Sequence, residues 1–331
     1  MNKLFEQVNE LIFKHANVTK SLNLESGKLG LCIYFFEMSK IKNSIKYRKQ
    51  AISLFDQVCK DLKNYSAINS IFDITQMGIA IDFLVNNNYI QGNINSLLRD
   101  FDDIIFMKMI SGNPTQIEMI IVLYYLYRRI EKQNKGSDDC FMLEELCMLI
   151  FNNLYKTVEL DFFEEPSFFT IEYKVPMLIY VLSKLYALNF YNKRLSEVVK
   201  EISNLITSKI PTLHSNRLYL LWSLIQLKQV TNFDIWNEQI EILYNHIDPQ
   251  KIILKELKNK NIFIKDGVAG IFLLLKEIKL PASNISIDRA LIMQKIINSE
   301  LWKNEKWIVS GLGLINGVSG SILIYSLLES K

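Results

Sequence analysis

The chain has 331 residues, of which 49% are hydrophobic and 22% are charged, a composition that is typical of a globular protein and argues against disorder. Its 12 glycines and 6 prolines are too few for an all-β sandwich or a Rossmann chain, so the composition favours helices. The formal net charge of +3 gives no reason to expect nucleic acid as a partner.

The N-terminal segment and the apolar runs bear on where the protein acts. Residues 1–7 are polar and interrupted by charge, unlike a secretory signal. The longest apolar runs, 119–127 and 271–275, are shorter than the ~20 residues that a membrane helix needs. We therefore expect a cytoplasmic protein with no integral membrane segment. Its four cysteines should be reduced and buried; they are Cys32, Cys59, Cys140 and Cys147.

Several segments repeat apolar residues with helical spacing on one face only. The first is marked by Leu4, Val8, Leu11 and Ile12. The same spacing returns within 47–62, 195–206 and 236–247. Such stripes predict amphipathic helices with one wet face.

Segments of a second kind lie between the amphipathic ones and are apolar nearly all round, which predicts buried helices. Each spans about ten residues, so strands are an alternative interpretation. The flanking helices and the lack of turn clusters favour helix. These segments are 29–38, 79–85, 117–127, 175–188, 218–227, 268–278 and 318–328.

Glycine pairs open several of the apolar segments. The pairs Gly27 and Gly30, Gly267 and Gly270, and Gly317 and Gly320 each form a G-x-x-G frame. Weaker frames at 75–78 and 112–115 open the second and third segments. A glycine pair lets helix ends crowd together, although each pair alone could simply be a turn before a helix. Their recurrence indicates a helix-pair repeat of variable loop length.

The fourth and fifth apolar segments have frames without glycine, whose second positions are Met177 and Leu218. The seven frames, in order along residues 20–330, resemble the lanthionine synthetase C family, the LanC-like cyclases. The resemblance implies an all-α fold, a double-layered α/α barrel (toroid) of about seven inner and seven outer helices. It also implies a single LanC-like domain over residues 1–331. In that family, zinc at the barrel mouth holds a peptide thiolate, which adds to a dehydrated Ser or Thr.

The chain departs from the family at each functional position. The Cys-His-Gly before the sixth inner helix is replaced by Lys265-Asp266-Gly267. The acid/base His before the fourth becomes Tyr173, and the Asp before the third falls at Lys108.

The fifth frame also lacks its zinc ligand. The ligand Cys falls at Leu213, beside His214, or at Leu221 in a shifted register. A structural zinc site formed by Cys140, Cys147 and a His is an alternative, but the C-x-x-C spacing that is typical of such sites is absent. We therefore expect no metal and no cofactor.

The aligned frames would bring together a set of polar residues at the mouth. Tyr173, His214 and Asp266 are the candidate catalytic residues, and Lys108, Lys174 and Lys265 are the candidate binding residues. Asp266 or His214 could take a thiol proton, and Tyr173 or a lysine could stabilise an enolate. Alternatively, Lys265 and Asp266 only cap a helix and face water.

The resemblance implies a LanC-like protein of ribosomal-peptide (lanthipeptide-type) maturation without zinc. It would bind a precursor peptide or a peptide-modifying enzyme such as a dehydratase. The lysines and the free N–H groups of the helix openings should suit an acidic peptide. The acidic corner Glu164-Glu165 should be solvated.

Two alternatives stay open. One is an active, thioether-forming peptide cyclase with a metal-free acid/base site. The other is a helical-repeat scaffold or an α/α-barrel carbohydrate-active enzyme, for which Glu172 and Asp266 are the only candidate carboxylate pair.

Overall fold

The computed structural model describes residues 3–63, 70–207, 210–231, 233–278 and 288–330. All regular elements in these ranges are helical, which confirms the all-α prediction. None of the helices in them combines the length and the apolar character that crossing a membrane requires.

The α-helices follow one another with short connections. They are α1 Lys3–His15, α2 Lys28–Ile41, α3 Ile45–Lys63, α4 Ile71–Asn86, α5 Ile94–Ser111, α6 Gln116–Glu131, α7 Asp138–Lys156, α8 Lys174–Ala187, α9 Asn192–Thr207, α10 His214–Val230, α11 Ile235–Asn245, α12 Pro249–Lys251, α13 Val268–Glu277, α14 Arg289–Ile297, α15 Glu305–Ser310 and α16 Val318–Glu329. Single 3₁₀ or π turns lie at Ala16–Val18, Leu160–Phe163, Ile252–Glu256 and Glu300–Lys303.

Each of the seven apolar segments coincides with a helix, namely α2, α4, α6, α8, α10, α13 and α16. The strand interpretation is therefore wrong. Helix α2 shows why these segments fold as they do, because its buried residues point in all directions around the helix axis. A helix without a wet face gains most of its stability from burial on every side.

The chain divides into two compact units. The first unit comprises Met1–Asp102, Leu257–Phe272 and Asp288–Lys331, and the second comprises Asp103–Glu256 and Leu273–Ile287. Helix α13 begins in the first unit and ends in the second.

In the first unit, α2 is the central helix and packs against α3, α4 and α16. Its Tyr34, Phe35 and Phe36 are almost completely buried, and full burial of a side chain of this kind stabilises the fold by about 2–3 kcal/mol. The Tyr34 hydroxyl donates to Asn9 of α1. Because α16 packs against α2, the last apolar helix of the chain lies directly beside the first.

In the second unit, α6, α8 and α10 are successive neighbours, and the amphipathic helices α7, α9 and α11 pack on α6, α8 and α10 respectively. Aromatic rings join the three apolar helices. The Tyr180 ring centroid of α8 lies 5.9 Å from that of Tyr124 in α6 and 4.6 Å from that of Trp222 in α10.

The loops before α2 and α13 fold back on their own helices in the same way. Lys28, Leu29 and Gly30 donate their backbone N–H groups to carbonyls seven residues earlier, at 2.9–3.4 Å. The first three residues of α13 make the same bonds at 3.1–3.4 Å. These helix openings therefore satisfy their own N–H groups, so at α13 the expectation that such groups are free to bind a peptide is wrong.

The folded-back loop explains why Gly30, the second glycine of the first frame, has no side chain. A Cβ atom at Gly30 would overlap the carbonyl oxygen of Leu24 and lie 3.1 Å from the Cβ of Leu314. The glycine thus makes room mainly for its own loop and not only for a neighbouring helix end. The second frame does not open its helix, because α4 begins at Ile71 and is capped by Ser70, which accepts a hydrogen bond from the Asp73 amide.

Candidate functional site

In the first unit, three helix openings and the second turn of α4 are joined around Glu25. The Lys265 ammonium lies 2.8 Å from the Glu25 carboxylate, and both side chains are largely buried, with 23% and 12% exposed. The Glu25 carbonyl accepts from the amides of Ile315 and Asn316 at 3.1 and 3.2 Å, and its amide donates to Gln76 at 3.0 Å. The loops before α13, α16 and α2 are therefore joined to one another and to the second turn of α4, and Lys265 is a structural partner of Glu25.

Asp266 follows in the same loop and is half-buried rather than facing water. Burial raises the pKa of its carboxyl, while the neighbouring Lys265 acts in the opposite direction. Its Oδ1 atom is buried and has no hydrogen-bond partner among the described residues. A carboxyl with a raised pKa holds its proton more readily, as a general acid must.

In the second unit, a cavity of about 570 Å³ opens where α8 and α10 begin, a size typical of ligand pockets. Most of the residues that line it are apolar and include Val175 of α8, Ile206 of α9 and Leu220 of α10. The polar side chains among its described lining residues are those of Tyr173, Glu164 and Glu165. The cavity therefore combines apolar side chains with two carboxylates and one hydroxyl.

Tyr173 is the one candidate catalytic residue that lines this cavity. It is the N-cap residue of α8 and is 5% exposed. Burial, and to a smaller extent the nearby Glu165 carboxylate, raise the pKa of its hydroxyl to about 12. At neutral pH the hydroxyl is thus a hydrogen-bond donor and a poor base.

Glu165 is not a solvated corner residue as the sequence predicted. Its carboxylate accepts from the backbone amides of Thr212 and Leu213 at 2.6 and 2.8 Å and from the Asn216 side chain at 2.9 Å. It therefore holds the start of α10, where unpaired N–H groups favour a negative charge. Glu164, the preceding residue, is exposed at the rim of the cavity.

His214 is the first residue of α10 and is half-buried. Its backbone amide donates to Glu256 at 2.7 Å, and the next amide, of Ser215, donates to the same carboxylate at 3.0 Å. The His214 Nδ1 atom lies 3.0 Å from the carbonyl oxygen of His246 and 3.2 Å from the amide nitrogen of Asp248. The ring thus contacts the backbone at the end of α11.

The two remaining lysines lie elsewhere in the second unit. The Lys174 ammonium lies 2.9 Å from the side-chain oxygen of Gln116 and 5.5 Å from the Phe162 ring centroid. Lys108 is in the last turn of α5 rather than in the loop before α6. Lys265 and Asp266 belong to the first unit and the other four candidates to the second, and within the second unit only Tyr173 lines the cavity.

The cysteines differ from expectation at one position. Cys32, Cys140 and Cys147 are buried as predicted, but Cys59 is exposed on α3. Cys59 falls on the wet face of that amphipathic helix, one position past the buried Val58. In the described ranges, no three His, Cys, Asp or Glu side chains are grouped closely enough to hold a metal ion.

Three glutamates that organise these loops were not found by sequence reasoning. Glu25, Glu165 and Glu256 bind groups far away along the chain. In the sequence, each of these glutamates lies in or near a loop beside an apolar helix. Many other acidic residues share this position, so it does not single out these three.

Comparison with known proteins assigns no family. No family model matches the chain, and a search of curated proteins finds no match.

Proposed function

We propose that this chain is a divergent LanC-like protein of ribosomal-peptide maturation, which binds a precursor peptide or its modifying enzyme without zinc. One observation carries the proposal most directly. In the first unit the last apolar helix, α16, packs against the first, α2, as the inner ring of a toroid requires. The proposed architecture is a single double-layered α/α barrel of seven apolar inner helices with the amphipathic helices outside.

The alternation of helices along the chain supports the same architecture. Each apolar helix is preceded by at least one amphipathic helix. In the second unit α6, α8 and α10 are neighbours in chain order, which is the arrangement of consecutive inner helices in a ring. In the proposed alignment the family's zinc positions fall at Lys265, Asp266 and either Leu213 or Leu221, and these residues do not supply a thiolate or imidazole at those places.

Binding is favoured over catalysis by the chemistry of the cavity. The two candidate bases for a thiol proton, His214 and Asp266, do not line the cavity. The raised pKa of the Tyr173 hydroxyl keeps it protonated, so it can donate a hydrogen bond but cannot replace a base. Glu165 is already bound to three donors at the start of α10. Apolar side chains beside fixed polar groups suit peptide binding.

The test uses the purified chain and a synthetic peptide that contains Cys and Ser, in its unmodified form and with dehydroalanine in place of the Ser. Isothermal calorimetry measures binding by the wild-type protein and by Leu205→Trp, which narrows the cavity from α9. Substitution of the exposed Glu238 on α11 by Gln is the control. We expect binding that the Trp variant loses and the control keeps.

The same samples separate binding from cyclisation. Iodoacetamide alkylation counts the peptide thiols after incubation, because a thioether no longer reacts. Unchanged thiol counts are expected. Loss of thiols would establish the active cyclase instead. Absence of binding to either peptide form would overturn the proposal, and so would stoichiometric zinc in protein purified without chelator.

A further inference from the structure

We infer that the cavity between α8, α9 and α10 selects a basic residue of the bound peptide. The aliphatic stem of a Lys or Arg would lie on the apolar walls, and its charged end would reach Glu164 at the rim. This inference rests on the proposed peptide-binding function and names the class of peptide residue that the site accepts.

The charges around the cavity carry the inference. Glu164 and Glu165 both line it. Glu165 is neutralised in part by the amides at the start of α10, whereas Glu164 is exposed. Two negative side chains that line one cavity favour the binding of a cationic residue over an acidic one.

Among the described residues, two cations near the cavity, Lys174 and Arg217, have other partners. The Lys174 ammonium is bound to Gln116 and lies over Phe162. The Arg217 guanidinium donates to the carbonyl oxygens of Pro211, Thr212 and His246 at 2.5–3.1 Å. Neither residue lines the cavity. An acidic peptide would therefore meet two carboxylates at this site, contrary to the expectation from sequence.

The lining of the cavity suits a long amphipathic side chain. Val175 and Leu220 are buried in its wall, and Ile210 at its edge is 48% exposed. Lys and Arg bury their methylene stems along such surfaces while the charged end stays in water. The protonated hydroxyl of Tyr173 can donate a hydrogen bond to a carbonyl of the peptide backbone.

The experiment uses three fluorescein-labelled probes that differ at one position. They are pentapeptides of sequence Gly-Leu-X-Leu-Gly, amidated at the C-terminus, in which X is Lys, norleucine or Glu. Norleucine keeps the aliphatic stem of Lys and lacks its charge. Fluorescence anisotropy gives the Kd of each probe for the full-length protein at low and physiological salt.

We expect the Lys probe to bind about two-fold to five-fold more tightly than norleucine at low salt, with a smaller ratio at physiological salt. Glu164→Gln should remove most of this preference and leave the Kd of the norleucine probe unchanged. The matched control, Glu238→Gln on α11, removes an exposed carboxylate of the same unit and should leave all three Kd values unchanged.

Equal binding of the three probes, or tighter binding of the Glu probe, would overturn the inference. A preference for Lys that survives Glu164→Gln would overturn it too. Leu205→Trp distinguishes the two proposals. If the probes bind equally and this variant abolishes their binding, the cavity is a peptide site without charge selection. If no probe binds the wild-type protein, both proposals fail for this cavity.

Discussion

Lys265 and Glu25 lie 240 positions apart in the chain, yet their charged groups are 2.8 Å apart. The pair joins the loop that precedes α13 to the loop that precedes α2. Each loop also bonds to the segment before α16, since the Lys265 amide donates to Ile315 and the Glu25 carbonyl accepts from Ile315 and Asn316. The ion pair therefore reinforces a junction between segments from both ends of the chain.

Loss of this pair should destabilise the protein. Because both groups are largely buried, Lys265→Met should lower the free energy of unfolding by about 1–2 kcal/mol. A double-mutant cycle with Glu25→Gln should give a coupling of about 1 kcal/mol, measured by urea unfolding. Lys251→Met is the control, because its pair with Asp248 is far more exposed, and its effect should stay within about 0.5 kcal/mol. Additive effects of Lys265→Met and Glu25→Gln would contradict this account.

The close approach of the loop to α2 gives a second prediction. Gly30→Ala should lower the free energy of unfolding by about 2–3 kcal/mol, since the added Cβ would overlap the backbone oxygen of Leu24 and that backbone cannot move aside. Gly311→Ala is the matched control, because its Cβ would meet the Trp307 oxygen at 3.4 Å, an ordinary contact. Chemical denaturation midpoints test both. A neutral Gly30→Ala would mean that the loop does not fold back as described.

The apolar helices could be predicted from sequence because local composition decides them. Residues 318–328 are apolar on every face, and α16 occupies Val318–Glu329. Helix starts were harder to predict. In α4, Ser70 caps the helix and places Gly78 inside it, whereas the glycine pattern indicated a later start.

The site could be predicted only in part, because its polar groups meet through long-range contacts. Tyr173 was found from its place before α8. Glu256 was not, since it reaches the start of α10 from 42 positions away. Glu165 also reaches the start of α10, although it lies 48 positions before Leu213. Periodicity and motif spacing report on neighbours within a helix and contain no information on which loop a distant carboxylate will reach.

The thiols should react unequally in the native protein. Cys59 is exposed, whereas burial raises the pKa of Cys32 and of Cys147, which suppresses the reactive thiolate. A chromogenic disulfide reagent at pH 8 should therefore modify one thiol quickly in the native state and four in denaturant. Cys59→Ser should remove the fast reaction. A fast thiol that remains in this variant would show that a second cysteine is accessible.

The Tyr173 hydroxyl should make stability depend on alkaline pH. Its pKa rises from 10.0 to about 12 on folding, chiefly by burial and also through Glu165. Below pH 10 the hydroxyl is protonated in both states, so its contribution to stability is complete. Between pH 10 and 12 the unfolded state loses this proton first, and stability falls as pH rises.

Tyr173→Phe should therefore reduce the slope of unfolding free energy against pH in this window, by up to about 1.4 kcal/mol per pH unit. Urea unfolding at pH 8, 10 and 11 measures the slope in both proteins. At pH 8 the hydroxyl is protonated in both states, so the difference between the two proteins there gives the stability lost through packing. Identical slopes would show that the hydroxyl titrates alike in both states and is not held in the apolar cavity beside Glu165.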